Sequence, residues 1–327
     1  MLIASLKGQM QNLVFLSELM MLLCLPLLCL PLLCLPIATA FAQPLAQPSA
    51  QQRNSKAAEL LAYDRSVAFD LKEVSTKEQE GAVVSDLNYA AYAPQHGRIK
   101  AYLVKPKGAG PFAGVLFFHW LGRPKGDRTQ FLDEAVTLAK QGAVSLLIQG
   151  YFPWSEPPTD GRSDRQRIID QTIEVRRALD VLLSQKEVDP RRVAYVGHDY
   201  GAMYGGIVAG VERRAKTYVL MAAPGNFSDW SLKYWPATAA AGRDIYQQSV
   251  EELDPIRYVS RARPASLLFQ FANVDEFIPK AVAKAFFDQA SEPRQVKWYD
   301  ADHALNIEAA RNDRHEWLTR QLGLPKS

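Results

Sequence analysis

Three side chains in this sequence have the type and setting to do chemistry: Asp199, Asp275 and His303. Asp199 stands in Val196-Gly197-His198-Asp199-Tyr200-Gly201, between an apolar run at 193–196 and the small-residue run Gly201-Ala202-Met203-Tyr204-Gly205-Gly206. Glycines two positions before and two after an acid, where the pattern changes from strand to helix, mark a tight turn that projects the acid. Asp275 lies in Ala272-Asn273-Val274-Asp275-Glu276-Phe277-Ile278-Pro279 and His303 in Tyr299-Asp300-Ala301-Asp302-His303-Ala304-Leu305, each just after an apolar run. A carboxylate, a histidine and a second carboxylate are the parts of a nucleophile, a base and the group that orients the base. Asp300 and Asp302 share the histidine's own turn, so Asp275, on a separate loop, is the better orienter.

A carboxylate differs from a serine as nucleophile. With an ordinary pKa of about 3.9 it is ionised at neutral pH and leaves the histidine free to activate water in a second step. Attack on an ester carbonyl would give a mixed anhydride, and the tetrahedral intermediate would expel carboxylate in preference to alkoxide by about 16 kcal/mol. Displacement at a saturated carbon has no such partition, because halide or an epoxide oxygen leaves in the same step. Asp199 therefore points to an alkyl-ester intermediate formed from an organohalide or an epoxide.

The surrounding pattern must hold the three groups. Residues 67–71, 83–92 and 99–104 alternate apolar and polar and predict an antiparallel meander. From 113 onward, continuous apolar runs at 114–118, 143–148, 193–196, 217–221, 266–271 and 296–299 predict parallel strands buried on both faces. Helical periodicity at 130–140, 164–184, 280–289 and 305–322, with a helix from the Asp199 turn to about 211, supplies the crossovers. The expected fold is α/β, a doubly wound, mostly parallel sheet with an antiparallel N-terminal meander. In such a sheet the site lies off the carboxyl ends of the strands, where Asp199, Asp275 and His303 all fall. Residues 222–263 exceed a simple crossover and carry Phe227, Trp230, Tyr234, Trp235 and Tyr246, so a short cap-like insertion is expected there.

Taken together, residues 189–206, 273–279 and 300–306 resemble the dienelactone hydrolase-like branch of the α/β-hydrolase superfamily, over roughly residues 65–325. That branch carries Cys or Ser at the turn. The Gly-His-Asp-x-Gly here resembles instead the elbow of haloalkane dehalogenases and epoxide hydrolases, whose His-Gly-x-Pro is replaced by His119-Trp120-Leu121-Gly122 and whose large cap is short in this chain. The resemblance implies an α/β-hydrolase fold, with the backbone N–H groups of Tyr200 and Trp120 as oxyanion donors. Expected substrate contacts are His119, Tyr204, Trp230, Tyr234 and Tyr246, with the Trp120 indole or the Tyr204, Tyr234 or Tyr246 hydroxyl on the leaving group. His198 is expected to pack beneath the turn. A carboxylesterase or lactonase, or an inactive binding protein on the same scaffold, is the alternative.

The rest of the sequence narrows the class. A net charge of +3 over 327 residues, with no dense basic patch, argues against a nucleic-acid partner and leaves a small molecule. No His, Asp or Glu spacing suggests a metal, and no glycine-rich phosphate loop suggests a nucleotide cofactor. All three cysteines, Cys24, Cys29 and Cys34, lie in an apolar N-terminal run. With Ala40-Phe41-Ala42 as a small-x-small cleavage site, residues 1–42 read as a signal peptide for export, leaving no membrane partner once it is cleaved and an anchor if it is not. Residues 43–60 read as a disordered linker and 61–327 as the catalytic domain.

Overall fold

The computed structural model describes residues 56–326. The expected signal peptide and most of the linker lie outside those residues. The linker boundary moves: residues 56–60 are helical, with Ala57 and Leu61 buried, because those two apolar side chains find the main core.

In chain order the elements are β1 (Lys72–Gln79), β2 (Ala82–Ala90), β3 (Arg98–Pro106), β4 (Phe112–Phe118), α1 (Leu132–Lys140), β5 (Ala143–Ile148), α2 (Gly161–Leu183), β6 (Val188–His198), α3 (Tyr200–Val211) and β7 (Thr217–Met221). Then follow α4 (Phe227–Tyr234), α5 (Arg243–Val250), α6 (Ile256–Val259), β8 (Ser266–Ala272), α7 (Lys280–Gln289), β9 (Arg294–Tyr299) and α8 (Glu308–Leu322). The strands form one sheet in the order β1-β2-β3-β5-β4-β6-β7-β8-β9. Pairing is antiparallel from β1 through β3 to β5 and parallel across β5, β4, β6, β7, β8 and β9. This is the expected α/β sheet with its antiparallel start.

The continuous apolar runs explain why the middle strands are buried on both faces. Along β4, Val115 and Phe117 enter a core shared with α1 and α8, while Leu116 and Phe118 enter one shared with α2, α3 and α7. Each such side chain contributes about 1.5–3 kcal/mol by leaving water.

One strand departs from the sequence pattern. Residues 67–71 are turn and coil; the first strand is the Lys- and Glu-rich β1, whose residues are almost all exposed. An exposed edge strand has no apolar face to write into the sequence, and its charges deter pairing with another chain. It joins β2 through Glu80 and Gly81, both at positive φ, 49° and 88°. Residues 222–263 hold α4, α5, α6 and short 3₁₀ turns, a helical insertion between β7 and β8.

Candidate active site

Strand β6 ends at His198, and Asp199 turns the chain into α3 with φ 54° and ψ −116°, a conformation that a side chain adopts at a cost of about 1–3 kcal/mol. The surroundings hold it there. Its N–H donates to the Met221 carbonyl at 2.9 Å on β7, and its carbonyl accepts the Met203 N–H at 2.9 Å, starting the helix. The flanking glycines are steric requirements: a Cβ on Gly197 would stand 2.3 Å from the Gly201 carbonyl oxygen, and one on Gly201 would stand 2.2 Å from the Phe118 carbonyl oxygen.

The tertiary structure brings the three expected groups together. His303 directs Nδ1 at Asp275, 2.9 Å from Oδ2 and 3.1 Å from Oδ1, and its Nε2 lies 3.8 Å from Asp199 Oδ1. Asp275 is held in turn by the Phe277 and Ile278 N–H groups, at 2.9 and 2.8 Å. Since Asp275 Oδ accepts, Nδ1 carries a proton, and Nε2 is the nitrogen that faces Asp199. The adjacent Glu276 accepts the His303 backbone N–H at 3.2 Å.

Asp199 and His303 are 4% and 3% exposed, so their electrostatics are those of a dry site. Burial pushes the Asp199 carboxyl above the usual carboxylate range, against the pull of His303 and of the Leu121 and Tyr200 N–H groups. For His303 burial alone would lower the pKa, but the Asp275 hydrogen bond and the charges of Asp199, Asp275 and Glu276 outweigh it, and the net direction is up. Asp275 is held down: its own burial is outweighed by the hydrogen bond and charge of His303 and by two backbone N–H groups.

The oxyanion donors differ in part from expectation. The Tyr200 N–H does face the Asp199 carboxylate. The Trp120 N–H, however, donates to Gln130 Oε1 at 2.8 Å, and it is the Leu121 N–H that reaches Asp199 Oδ2, at 3.1 Å. A side chain ten residues downstream turns the Trp120 peptide away. Asp199 Oδ1 is buried and has no hydrogen-bond partner.

Most of the expected substrate contacts are engaged inside the protein. His119 is buried, with Nδ1 2.8 Å from the Trp120 carbonyl and Nε2 accepting the Gly150 N–H at 3.0 Å; burial lowers its pKa to about 4. It shapes the loop and has no free nitrogen for a substrate. The hydroxyls of Tyr204, Tyr234 and Tyr246 donate to the Phe152 carbonyl, the Phe277 carbonyl and Asp164, at 3.1, 3.2 and 2.8 Å. The Trp120 indole N–H goes to the Lys125 carbonyl at 3.2 Å. The Tyr204 and Tyr246 hydroxyls are buried and each satisfies a backbone or buried group, while the Tyr234 bond is exposed and the Trp120 bond part-buried; all four donors are engaged in the free protein.

Trp230 does face the site, its ring centroid 6.5 Å from both His303 and Tyr200. With Phe277, 5.0 Å from His303, and Trp120, 6.2 Å from it, it walls the histidine with aromatic rings. The Tyr200 ring sits among Trp154, Phe227, Trp230 and Trp235, and its hydroxyl is buried without a hydrogen-bond partner. Sequence reading used only the Tyr200 backbone. Among the described residues no group of three or more His, Cys, Asp or Glu is arranged to hold a metal ion.

No protein-family model matches this sequence, and no curated protein sequence matches it. Solved structures do. An acetyl xylan esterase from a Paenibacillus species matches with a TM-score of 0.67 at 16% identity, over 86% of this chain and 97% of that one. A second acetyl xylan esterase, from a Thermoanaerobacterium species, matches with a TM-score of 0.65 at 14% identity, over 83% and 93%. A glucuronoyl esterase from Solibacter usitatus matches with a TM-score of 0.62 at 12% identity, over 83% and 92%. At these identities what is shared is architecture, and with the sheet order above it establishes that the described domain has the α/β-hydrolase fold.

Proposed function

We propose that this protein is a hydrolase that opens an epoxide or an organohalide through a covalent ester on Asp199. The observation that carries this reading is the division of labour between the two carboxylate oxygens. Oδ2 already occupies the Leu121 N–H, while Oδ1 is bare, buried and beside His303. In a serine-type acyl transfer those backbone donors must be open for the substrate's carbonyl oxygen. Here the nucleophile fills them itself, which suits attack by Oδ1 on carbon and denies an ester substrate its oxyanion hole.

The steps follow from that geometry. Oδ1 attacks the carbon, the carbon–oxygen or carbon–halogen bond breaks, and the leaving atom takes the electron pair. Burial raises the nucleophilicity of Asp199 by withholding water from it. His303 Nε2 then takes a proton from a water that attacks Asp199 Cγ, and the charge developing on Oδ2 falls on the Leu121 and Tyr200 N–H groups. Collapse breaks the Cγ–Oδ1 bond, the departing oxygen takes the proton back from His303 Nε2 to leave as the alcohol, and the proton left on the re-formed acid is released to restore the carboxylate. The Tyr200 hydroxyl is the donor for the leaving atom: burial pushes its pKa well above the usual phenol value and keeps it protonated. The ring-lined side toward Trp230 and Phe277 suits an apolar substrate. A cleft behind the catalytic loops, lined by Trp120, Arg123, Asp302, Leu305 and Arg311 among others, does not include Asp199 or His303.

The test is to trap the intermediate. With His303→Gln and a simple epoxide or alkyl bromide, intact-protein mass spectrometry should show a single adduct, mapped to Asp199. Turnover of a p-nitrophenyl ester that survives Asp199→Ala, with no adduct from either electrophile, would favour the esterase reading instead.

A further inference from the structure

His198, the residue before Asp199, does more than fill space beneath the turn. It is 0% exposed, and both ring nitrogens are bonded: Gln130 Nε2 lies 2.6 Å from Nδ1, and Nε2 lies 2.9 Å from the carbonyl oxygen of His303. Each link has one possible direction. The Trp120 N–H can only donate, so the Gln130 atom it meets is the amide oxygen, and Gln130 therefore offers its NH₂ to His198. Nδ1 must accept, which puts the imidazole proton on Nε2, where the His303 carbonyl can only accept. A second proton on His198 would set Nδ1–H against the Gln130 N–H.

The chain Trp120 N–H to Gln130 to His198 to the His303 carbonyl thus joins two loops that sequence keeps far apart. At one end it turns the Trp120 peptide aside, and the next N–H, that of Leu121, then meets Asp199 Oδ2. At the other end it fixes the backbone whose side chain spans Asp275 and Asp199. The Trp120 indole also stacks on the His198 ring, centroids 5.0 Å apart and planes within 9°. The charged groups facing His198 are His303 and Arg314; both oppose a second proton, and burial opposes it more, so its pKa falls well below the usual value.

We propose that His198 is a positioning residue: as a neutral imidazole protonated on Nε2, it couples the 119–130 loop to His303 and sets the Leu121 N–H and the His303 ring against Asp199 together. This rests on the triad reading of Asp199, His303 and Asp275, and its spectroscopic test is independent of the substrate. The protein has five histidines, so ¹⁵N-histidine spectra of the full chain separate them. His198 should show the Nε2–H neutral tautomer with no titration across pH 5 to 9. His198→Phe keeps a ring and loses both bonds; Gln130→Leu changes a residue two hydrogen bonds away from His303. Both should shift or broaden the His303 Nδ1–H signal and alter its titration. His198→Gln, which keeps a donor toward the His303 carbonyl, should restore that signal in part.

With styrene oxide as substrate, kcat should fall about 10–100-fold in the Phe and Leu variants with little change in KM. An unchanged His303 spectrum in folded His198→Phe and Gln130→Leu overturns the proposal. So does a wild-type His198 that carries its proton on Nδ1 or titrates near neutrality, a result that needs no variant to fold. If Asp199 is not the nucleophile, the trapping experiment fails while these spectra still hold.

Discussion

The Leu121 backbone N–H reaches Asp199 Oδ2 at 3.1 Å, and Asp199 Oδ1 accepts no hydrogen bond. The two oxygens of one carboxylate are therefore chemically distinct before any substrate arrives. An ester formed through Oδ1 keeps its carbonyl oxygen against the backbone donors, so water attacks Cγ and not the substrate carbon. A single turnover with excess enzyme in H₂¹⁸O should put ¹⁸O into Asp199 and leave the product's new hydroxyl unlabelled. Label in the product after one turnover would exclude the covalent route.

Tyr200 offers a hydroxyl that is buried and unpartnered in a ring of Trp154, Trp230 and Trp235. Tyr200→Phe removes a donor to the leaving atom and, in the free protein, removes an unsatisfied polar group. Ring opening of an epoxide should slow about 10–100-fold, worth roughly 1–3 kcal/mol, while thermal stability stays level or rises. Stopped-flow alkylation and a melting curve on the same sample measure both; equal rates for Tyr and Phe would take the hydroxyl out of the mechanism.

Ester hydrolysis needs a neutral His303. Its pKa is raised in the free protein partly by the charge of Asp199, which the ester removes, so the rate of that step should climb with pH through a value below the pKa of His303 in the free protein and then level off. Glu276 contributes to the upward direction and accepts the His303 N–H. Glu276→Gln keeps an acceptor and removes the charge, so the rise should move to lower pH with the plateau rate little altered. A pH–rate profile that does not move would assign Glu276 a purely structural part.

Asp254, just before α6, ties the two ends of the helical insertion together by accepting the N–H and hydroxyl of Ser228 on α4, at 3.1 and 2.9 Å. Burial pushes its pKa up to about 7. A carboxyl with a raised native pKa binds its proton more tightly folded than unfolded. Its contribution is full below the unfolded value and is lost as pH rises through about 7. Asp254→Asn should cancel that loss: from pH 4 to 7 the stability of wild type should fall relative to the variant, with a limiting slope of about 1.4 kcal/mol per pH unit. Denaturant unfolding of both proteins at pH 5 and pH 8 checks the sign.

Much of the scaffold was legible because its signals are local. Apolar runs such as 114–118 and 143–148 show buried strands by their own composition, and the elbow shows itself because Gly197 and Gly201 are needed within two residues of Asp199 by contacts that the turn creates. The order of Asp199, Asp275 and His303, each after a strand, was enough to place them at one end of the sheet. β1 was invisible for the same reason in reverse: a charged edge strand buries too little to leave a period.

What the sequence determined by itself was the fold class and three side chains that the structure brings together, since strand burial and the elbow's steric needs are written in adjacent residues. Only the tertiary structure decided which atoms are free to act. Trp120 and Leu121 are equivalent donors in sequence, and Gln130 separates them. Tyr204, Tyr234 and Tyr246 look as available as Tyr200, yet Phe152, Phe277 and Asp164 engage three of them and leave the fourth hydroxyl bare. Hydrogen bonds in a buried site are satisfied by whichever groups the fold brings near, and those partners lie up to 105 residues apart, as between His198 and His303.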